Sequence, residues 1–533
     1  MASFANSRVC DAQGGLTFFK FPNELRNLIY KHYLQLDEGY KLNPHTNKLR
    51  TSNDEPIALD LMYTCKRAAL EMQGFPLQHN TITFSAFHPR SRTDGINVGR
   101  FCHMMDMMNE ELVAQFQQLP PRYFHSQVVK EVAAAYPAFI PVLDVMKTDH
   151  GDLGNFRISY GETPSSCRDF IRFTLNTISS HKSLFSDYDI IINEVHYNDE
   201  YYGDESPIEQ PTVPPDRLFE FAPDPWAIPS QNDLDHFSYL LDPETCRLSC
   251  VSDDLYQDEE TSVDPQRFRY SAVAAAVRFL DSISPILRGW IRNISLMEDQ
   301  MSVCNPQCHG LGMIRFCQEN PNLRIERHVK LWDTVFQKNL LHLKPEEARQ
   351  PPRKVLTDEI SYLIAVWVVE ALALPSSGMP PDAFKLRFDG DSEGDRSCEQ
   401  IFQDVLLRDA AWRAGMDECF KRGFLPQLSW REKRQTPWGG IMDAVGHTPD
   451  PDYARQHSPE NRCYIFESFP QTIENLAKGS SLVACSFHPG TVWDIETLIK
   501  KRRSWSLTKW RYSWYRGKQC YVRGRLEPEN SFP

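Results

Sequence analysis

Phe21-Pro22-Asn23-Glu24-Leu25-Arg26-Asn27-Leu28-Ile29-Tyr30-Lys31-His32-Tyr33-Leu34 is the sharpest local pattern in the chain and reads as a helix over 22–34. Pro22 at the first helical position costs no hydrogen bond, and Glu24 in the first turn meets the positive end of the helix dipole. Leu25, Leu28, Ile29 and Tyr33 fall on one apolar stripe, while Glu24, Arg26 and Lys31 are expected to face solvent. So short a helix needs a second element to cover its stripe. Residues 59–72 supply one, with Leu61, Met62, Cys65, Ala69 and Met72, followed by a strand over 81–87.

Further along, helical spacing of apolar residues marks 127–136, 166–179, 266–283, 357–373, 398–422 and 472–477. Strand signals are fewer, at 291–296, 384–388 and 482–487. No period of 20 to 50 residues recurs. The expected class is α+β, mostly helical: a small N-terminal helical module followed by a large mixed domain with a small sheet and no long run of regular βαβ units. The stretch 357–374 is apolar on all sides and fits a helix at the centre of that domain. Its longest unbroken apolar run, 362–369, is 8 residues, short of the roughly 20 that a membrane span requires.

A chain of 533 residues, 41% apolar, 12% aromatic and 24% charged, has the composition of a folded protein of two to four domains. The N-terminus lacks the basic lead and apolar core of a signal peptide, so the chain is expected to stay in the cytoplasm or nucleus. Its 14 cysteines are dispersed, as in a protein with reduced thiols. The net charge of −13 hides a segregation. Residues 198–264 hold 18 acids against Arg217 and Arg247, with eight prolines, and read as an irregular acidic excursion. Within it Phe219, Phe221, Trp226, Phe237, Tyr239 and Leu240 are apolar enough to dock part of it on a neighbouring surface. The expected divisions are 18–90, 91–197, 198–264 and 265–533.

The opposite pole, 497–526, holds ten Lys or Arg and no acid, interleaved with aromatic rings. Lys500, Lys501, Arg502, Arg503, Trp510 and Trp514 would suit single-stranded nucleic acid if the rings were open to stacking bases. The same stretch also reads as structural, with 509–523 forming a hairpin. The run Lys500-Lys501-Arg502-Arg503 fits a nuclear import signal, and it equally fits the last turn of a helix starting at Asp494, where cations favour the dipole.

Motifs for chemistry are incomplete. Cys304, Cys308, His309, Cys317 and His328 form a Cys/His cluster, without the paired knuckle spacing of a zinc site. The series Asp389-Gly390-Asp391-Ser392-Glu393-Gly394 begins like a calcium loop, but its twelfth position is Gln400. No nucleophile elbow, zinc-protease helix or phosphate loop occurs. His88, His103, His125, His181 and His196 lack partners at fixed spacing. No catalytic residue, metal or cofactor is assigned.

The series Phe21-Pro22-Asn23-Glu24-Leu25-Arg26, then Leu61-Met62-Tyr63-Thr64-Cys65-Lys66, then Asn80-Thr81-Ile82-Thr83-Phe84 resembles the N-terminal module of fungal F-box-like proteins and the related Glu-x-Arg domains. The likeness covers about residues 18–87. Glu24-Leu25-Arg26 supplies the first Glu-x-Arg; the second helix reads Lys66-Arg67-Ala68-Ala69 instead of another. The resemblance implies a module that docks a Skp-type adaptor of a cullin ubiquitin ligase, through Pro22, Glu24, Leu25, Leu28 and Ile29, while the remaining chain selects a protein to be recruited. The expectation is a non-enzymatic protein-interaction molecule. A nuclear nucleic-acid-associated protein using the basic aromatic region, or a relative with a purely structural N-terminal module, are the alternatives.

Overall fold

The computed structural model describes residues 18–117, 119–148, 161–181, 222–240, 268–337, 354–390, 396–434, 464–479, 482–515 and 520–523. These form an α+β protein dominated by helices around a seven-stranded mixed sheet. The strands are β1 (Tyr40–Asn43), β2 (Lys48–Thr51), β3 (Thr81–Ser85), β4 (Asn293–Glu298), β5 (Arg324–Lys330), β6 (Lys354–Leu356), β7 (Phe384–Asp389), β8 (Val483–Cys485) and β9 (Cys520–Val522). The main sheet has the order β2-β1-β3-β4-β5-β7-β8, and β6 pairs with β9 in a separate ribbon.

Only β1 and β2 run antiparallel in the main sheet; from β1 to β8 each strand lies parallel to its predecessor, in chain order. Parallel neighbours need crossover connections. These are very unequal here, since β3 ends at Ser85 and β4 begins at Asn293, which is why the sequence shows no regular βαβ run. Gly39 introduces β1 at φ +64, and a Cβ there would stand 2.2 Å from the Thr81 carbonyl oxygen. Only glycine lets the chain pass so close to β3.

Side chains alternate across the parallel strands, as the period of 2 requires. Ile82 and Phe84, Ile294 and Leu296, Ile325 and Val329, and Phe384, Leu386 and Phe388 are all buried on one face. Helix Ala272–Ser282 packs on β3 and β4, with the Phe84 and Phe279 rings 5.7 Å apart. Helix Thr357–Ala373 packs on β7 and β8, and its Ile360, Ile364 and Val368 are fully buried, as the all-round apolar pattern foretold. Helix Arg92–Gln117 packs against Pro164–Ser180, where Phe116 and Phe170 meet at 5.4 Å.

Of the acidic excursion, residues 222–240 are described; 198–221 and 241–264, with Phe219 and Phe221, lie outside the described residues. Helix Gln231–Leu240 docks on Arg92–Gln117 by burying Leu234 and Leu240, and Phe237 stacks on Phe101 at 6.3 Å. Trp226 lies over Gly312 and beside the His309 ring. Tyr239 remains exposed.

The expected hairpin over 509–523 does not form. Leu507–Tyr515 is a helix, and Cys520–Val522 pairs with β6. Trp510 and Trp514 are four residues apart, so they share a helix face as readily as a strand face. On the helix they are buried beside Trp412, whose Nε1 donates to the Trp510 carbonyl at 3.2 Å. The helix expected from Asp494 forms as Ile495–Arg502, its cap accepting from the Glu496 and Thr497 amides.

One charged pair lies on the buried face of the sheet. Arg327 of β5 donates through Nε and Nη2 to Glu298 Oε1 of β4, at 3.1 and 2.7 Å, with both side chains at most 2% exposed. Replacing Arg327 by Met removes the charge partner of the buried Glu298 carboxyl, which costs about 3–5 kcal/mol. A fall of that size in unfolding free energy, measured by urea titration, is the expected outcome.

Candidate functional site

Helix Asn23–Leu34 divides its side chains differently from the sequence reading. Arg26, Tyr30 and Leu34, at intervals of four, are buried. Leu25, Leu28, Ile29 and Tyr33 are 48%, 52%, 42% and 39% exposed. The second element, expected to cover that stripe, packs on the opposite side. Arg26, expected in solvent, is the centre of the contact.

Helix Lys66–Glu71 presents Glu71 to this buried side. Arg26 grips its carboxylate with two bonds, Nε to Oε2 at 2.8 Å and Nη2 to Oε1 at 2.7 Å. Tyr30 Oη donates to Glu71 Oε2 at 3.0 Å, and Arg67 Nε to Oε1 at 2.9 Å. Arg26 also donates to the Phe21 carbonyl and to Asn23 Oδ1. These bonds, Arg26 foremost, hold the Glu71 carboxyl down at about 2. Around the polar clamp, the Tyr30 ring lies 5.5 Å from Phe18 and 6.2 Å from Phe75, and Met72 closes the cluster. The module therefore fills its interior without using the stripe.

Pro22, Glu24, Leu25, Leu28 and Ile29 come together as one exposed end and face of the helix. Leu36 extends the apolar patch and is 37% exposed. Fully burying an aliphatic side chain gains about 1.5–3 kcal/mol, so residues that are half exposed leave a sizeable part of that gain to a partner. Contiguous exposed apolar residues of this kind mark interaction surfaces.

The basic set is arranged otherwise. Lys500, Lys501 and Arg503 are exposed at the end of helix Ile495–Arg502. Arg502 lies over the Trp412 and Trp505 rings, 4.8 and 5.1 Å from their centroids. Trp510 is fully buried and Trp514 is 8% exposed, so neither offers a face on which a base could stack.

The Cys/His cluster is dispersed. His309 is buried with both nitrogens occupied: Nδ1 lies 2.7 Å from Ser271 Oγ and Nε2 2.8 Å from the Cys304 carbonyl. Ser271 Oγ accepts from the Ala274 amide, so its proton goes to Nδ1, and Nε2–H donates to Cys304. Burial pushes the Cys308 and Cys317 thiols up to about 12, which keeps them protonated. His328 stands on the other face of the sheet, 3.0 Å from Asp389 Oδ2. Among the described residues no group of three His, Cys, Asp or Glu is arranged to hold a metal ion. Asp389 ends β7, and 391–395 of the calcium-like series lie outside the described residues.

A groove of 730 Å³ opens between helices Leu407–Lys421 and Phe469–Ala477. Its acids are tied: Arg422 bonds Glu418 and Glu496, and Lys433 bonds Glu467 at 2.8 Å. Two acids pushed up by burial, Glu370 and Asp409, are held by Ser165 and Ser361 inside the core.

No family model, curated protein or solved structure matches the chain. No helix among the described residues is long and apolar enough to cross a membrane.

Leu28→Asp is expected to leave unfolding free energy within about 0.5 kcal/mol of wild type, as at an exposed site. Tyr30→Ala, two residues away on the opposite side of the helix and fully buried, should cost about 3–5 kcal/mol by analogy with other large aromatic truncations. Thermal and urea unfolding read by circular dichroism separate the two.

His309 supplies a pH signature. Burial, aided by the Arg327 charge, pushes it from 6.5 down to about 3. The unfolded chain takes up a proton there below pH 6.5 and the folded chain does not, so this contribution is present in full above pH 6.5 and is lost as pH falls toward 3. The slope is at most about 1.4 kcal/mol per pH unit. Urea midpoints measured between pH 7 and 4.5 should fall, and His309→Gln should flatten that slope whatever its effect at pH 7.

Proposed function

We propose that the protein is a non-enzymatic interaction molecule of the cytoplasm or nucleus. Its N-terminal module docks a Skp-type adaptor of a cullin ubiquitin ligase, and its large α+β domain selects the protein to be recruited. The observation that carries this reading is the position of Leu25, Leu28 and Ile29. They belong to the stretch that resembles an F-box-like module, and they are left uncovered by a module whose own interior is already closed around Arg26, Tyr30 and Glu71. A purely structural helix would turn its largest aliphatic residues inward.

The stripe has the chemistry of a helix face that beds into an apolar groove, with Glu24 and Lys31 at its margins to set orientation. Affinity purification of the tagged full chain with mass spectrometry should recover a Skp-type adaptor and its cullin. Leu28→Asp should abolish that recovery while leaving the fold intact. A wild-type chain that never recovers an adaptor would remove the ligase reading.

A further inference from the structure

Parallel sheets are ordinarily covered by helices on both faces. This one gathers its large aliphatic and aromatic residues on a single face, and the other is mostly polar, with Met297 and Ala484 its apolar members. Register identifies what lies there. One row crosses six strands as Arg50, Lys41, Thr83, Ser295, Glu326 and Lys385. The next rows carry Met297, His328 and Arg387, then Lys330 and Asp389. All of these side chains are exposed or half-buried.

The charge on this face opposes the charge of the chain. Lys41, Lys48, Arg50, Arg324, Lys330, Lys385 and Arg387 stand against Glu326 and Asp389 within the strands, with Asp299 beside Lys330 and Asp54 beside Arg50, in a protein whose net charge is −13. Arg387 is shared between Glu326 and Asp389, at 3.5 Å from each, and Arg50 leans on Asp54. Lys41, Lys48 and Lys385 are exposed and form no ion pair with any described residue. Neighbouring strands are about 4.8 Å apart, so the cations at the two ends of the long row are separated by roughly five such steps.

We infer that this open face docks an acidic polypeptide segment of a partner protein, laid across the strands with its carboxylates on the lysines and arginines at either side. Charge complementarity selects the occupant. The face favours a polypeptide over a nucleic acid for two reasons. Glu326 and Asp389 sit among the cations, where a continuous polyphosphate would be repelled while an interrupted series of carboxylates can step around them. No Phe, Tyr or Trp occupies an open-face position of these strands, so bases would find nothing to stack on. The inference does not rest on adaptor binding.

The test is fluorescence anisotropy of the full chain with three labelled probes: a Glu/Asp-rich 20-residue peptide, its Lys-substituted counterpart and a single-stranded oligonucleotide. Variants are the double reversal Lys41→Glu/Lys385→Glu and, as a control away from the sheet, Lys500→Glu/Lys501→Glu; circular dichroism verifies that both fold. The acidic peptide should bind wild type and the control alike, lose at least tenfold in affinity with the sheet-face reversal, and weaken steadily with added salt. The inference is overturned by any of three results: no binding of the acidic peptide at low salt, equal binding to the sheet-face variant, or tighter face-dependent binding of the oligonucleotide than of the peptide.

Discussion

The buried pair of Glu298 and Arg327 joins five separate elements of the molecule through directional contacts. Glu298 Oε1 takes both guanidinium bonds, and Oε2 accepts the Ala272 amide, which opens the helix packed on the sheet. Arg327 gives a further bond to the Pro306 carbonyl at 2.7 Å and lies over the Trp367 ring, 4.9 Å from its centroid. Two strands, a helix start, a 3-10 segment and the central apolar helix therefore share one electrostatic knot. Such a pair gives little net stability against a well-packed apolar replacement. Its value is geometric: directional bonds fix which groups face one another where dispersion alone would tolerate a slip.

The N-terminal module repeats this device on a smaller scale. Arg26 and Glu71 join its two principal helices, and the partners of that carboxylate come from three side chains. Because the clamp is polar and directional, few apolar residues are needed inside. The larger aliphatic residues of the helix are released to the surface. A module closed by Leu and Ile alone would have had to bury Leu25, Leu28 and Ile29, leaving nothing for a partner to grip.

This also explains which parts were legible in the sequence. Helices Asn23–Leu34, Ser126–Ala135 and Thr357–Ala373 announce themselves through spacing and through Pro22 at the start of the first. The exposed stripe was legible as a stripe, but its partner was not, because Arg26 in an apolar contact is invisible to a hydrophobic period. Strand β5 escaped notice for the same reason: Arg327 occupies an inward slot in Arg324–Lys330 and breaks the alternation. Helix Arg92–Gln117 was hidden by Gly95 and Gly99, which weaken a helical reading. Gly99 is required because a Cβ there would stand 2.6 Å from the Phe268 ring. The tryptophans at 510 and 514 satisfied two periods at once, and only tertiary packing on Trp412 decides between them. Strand order and the open cationic face depend on pairing across distant segments, which no local pattern encodes.

The link between module and sheet sets how the two candidate surfaces can act together. Asn80 is 1% exposed and bonds the Leu34 carbonyl, the Pro76 carbonyl and the Leu36 amide, all between 2.8 and 2.9 Å. It joins the end of the stripe-bearing helix to the residue just before β3, whose neighbours β1 and β4 continue the sheet. Gly39 then brings the chain against Thr81 where β1 meets β3. A buried side chain with all its bonds made is costly to displace. The helix and these strands consequently hold one orientation, so the exposed face of Leu25, Leu28 and Ile29 stands in a fixed relation to the open face of the sheet. In the recruiting role proposed above that rigidity would matter, because bringing two proteins together accelerates a reaction between them most when the bridge limits their relative positions.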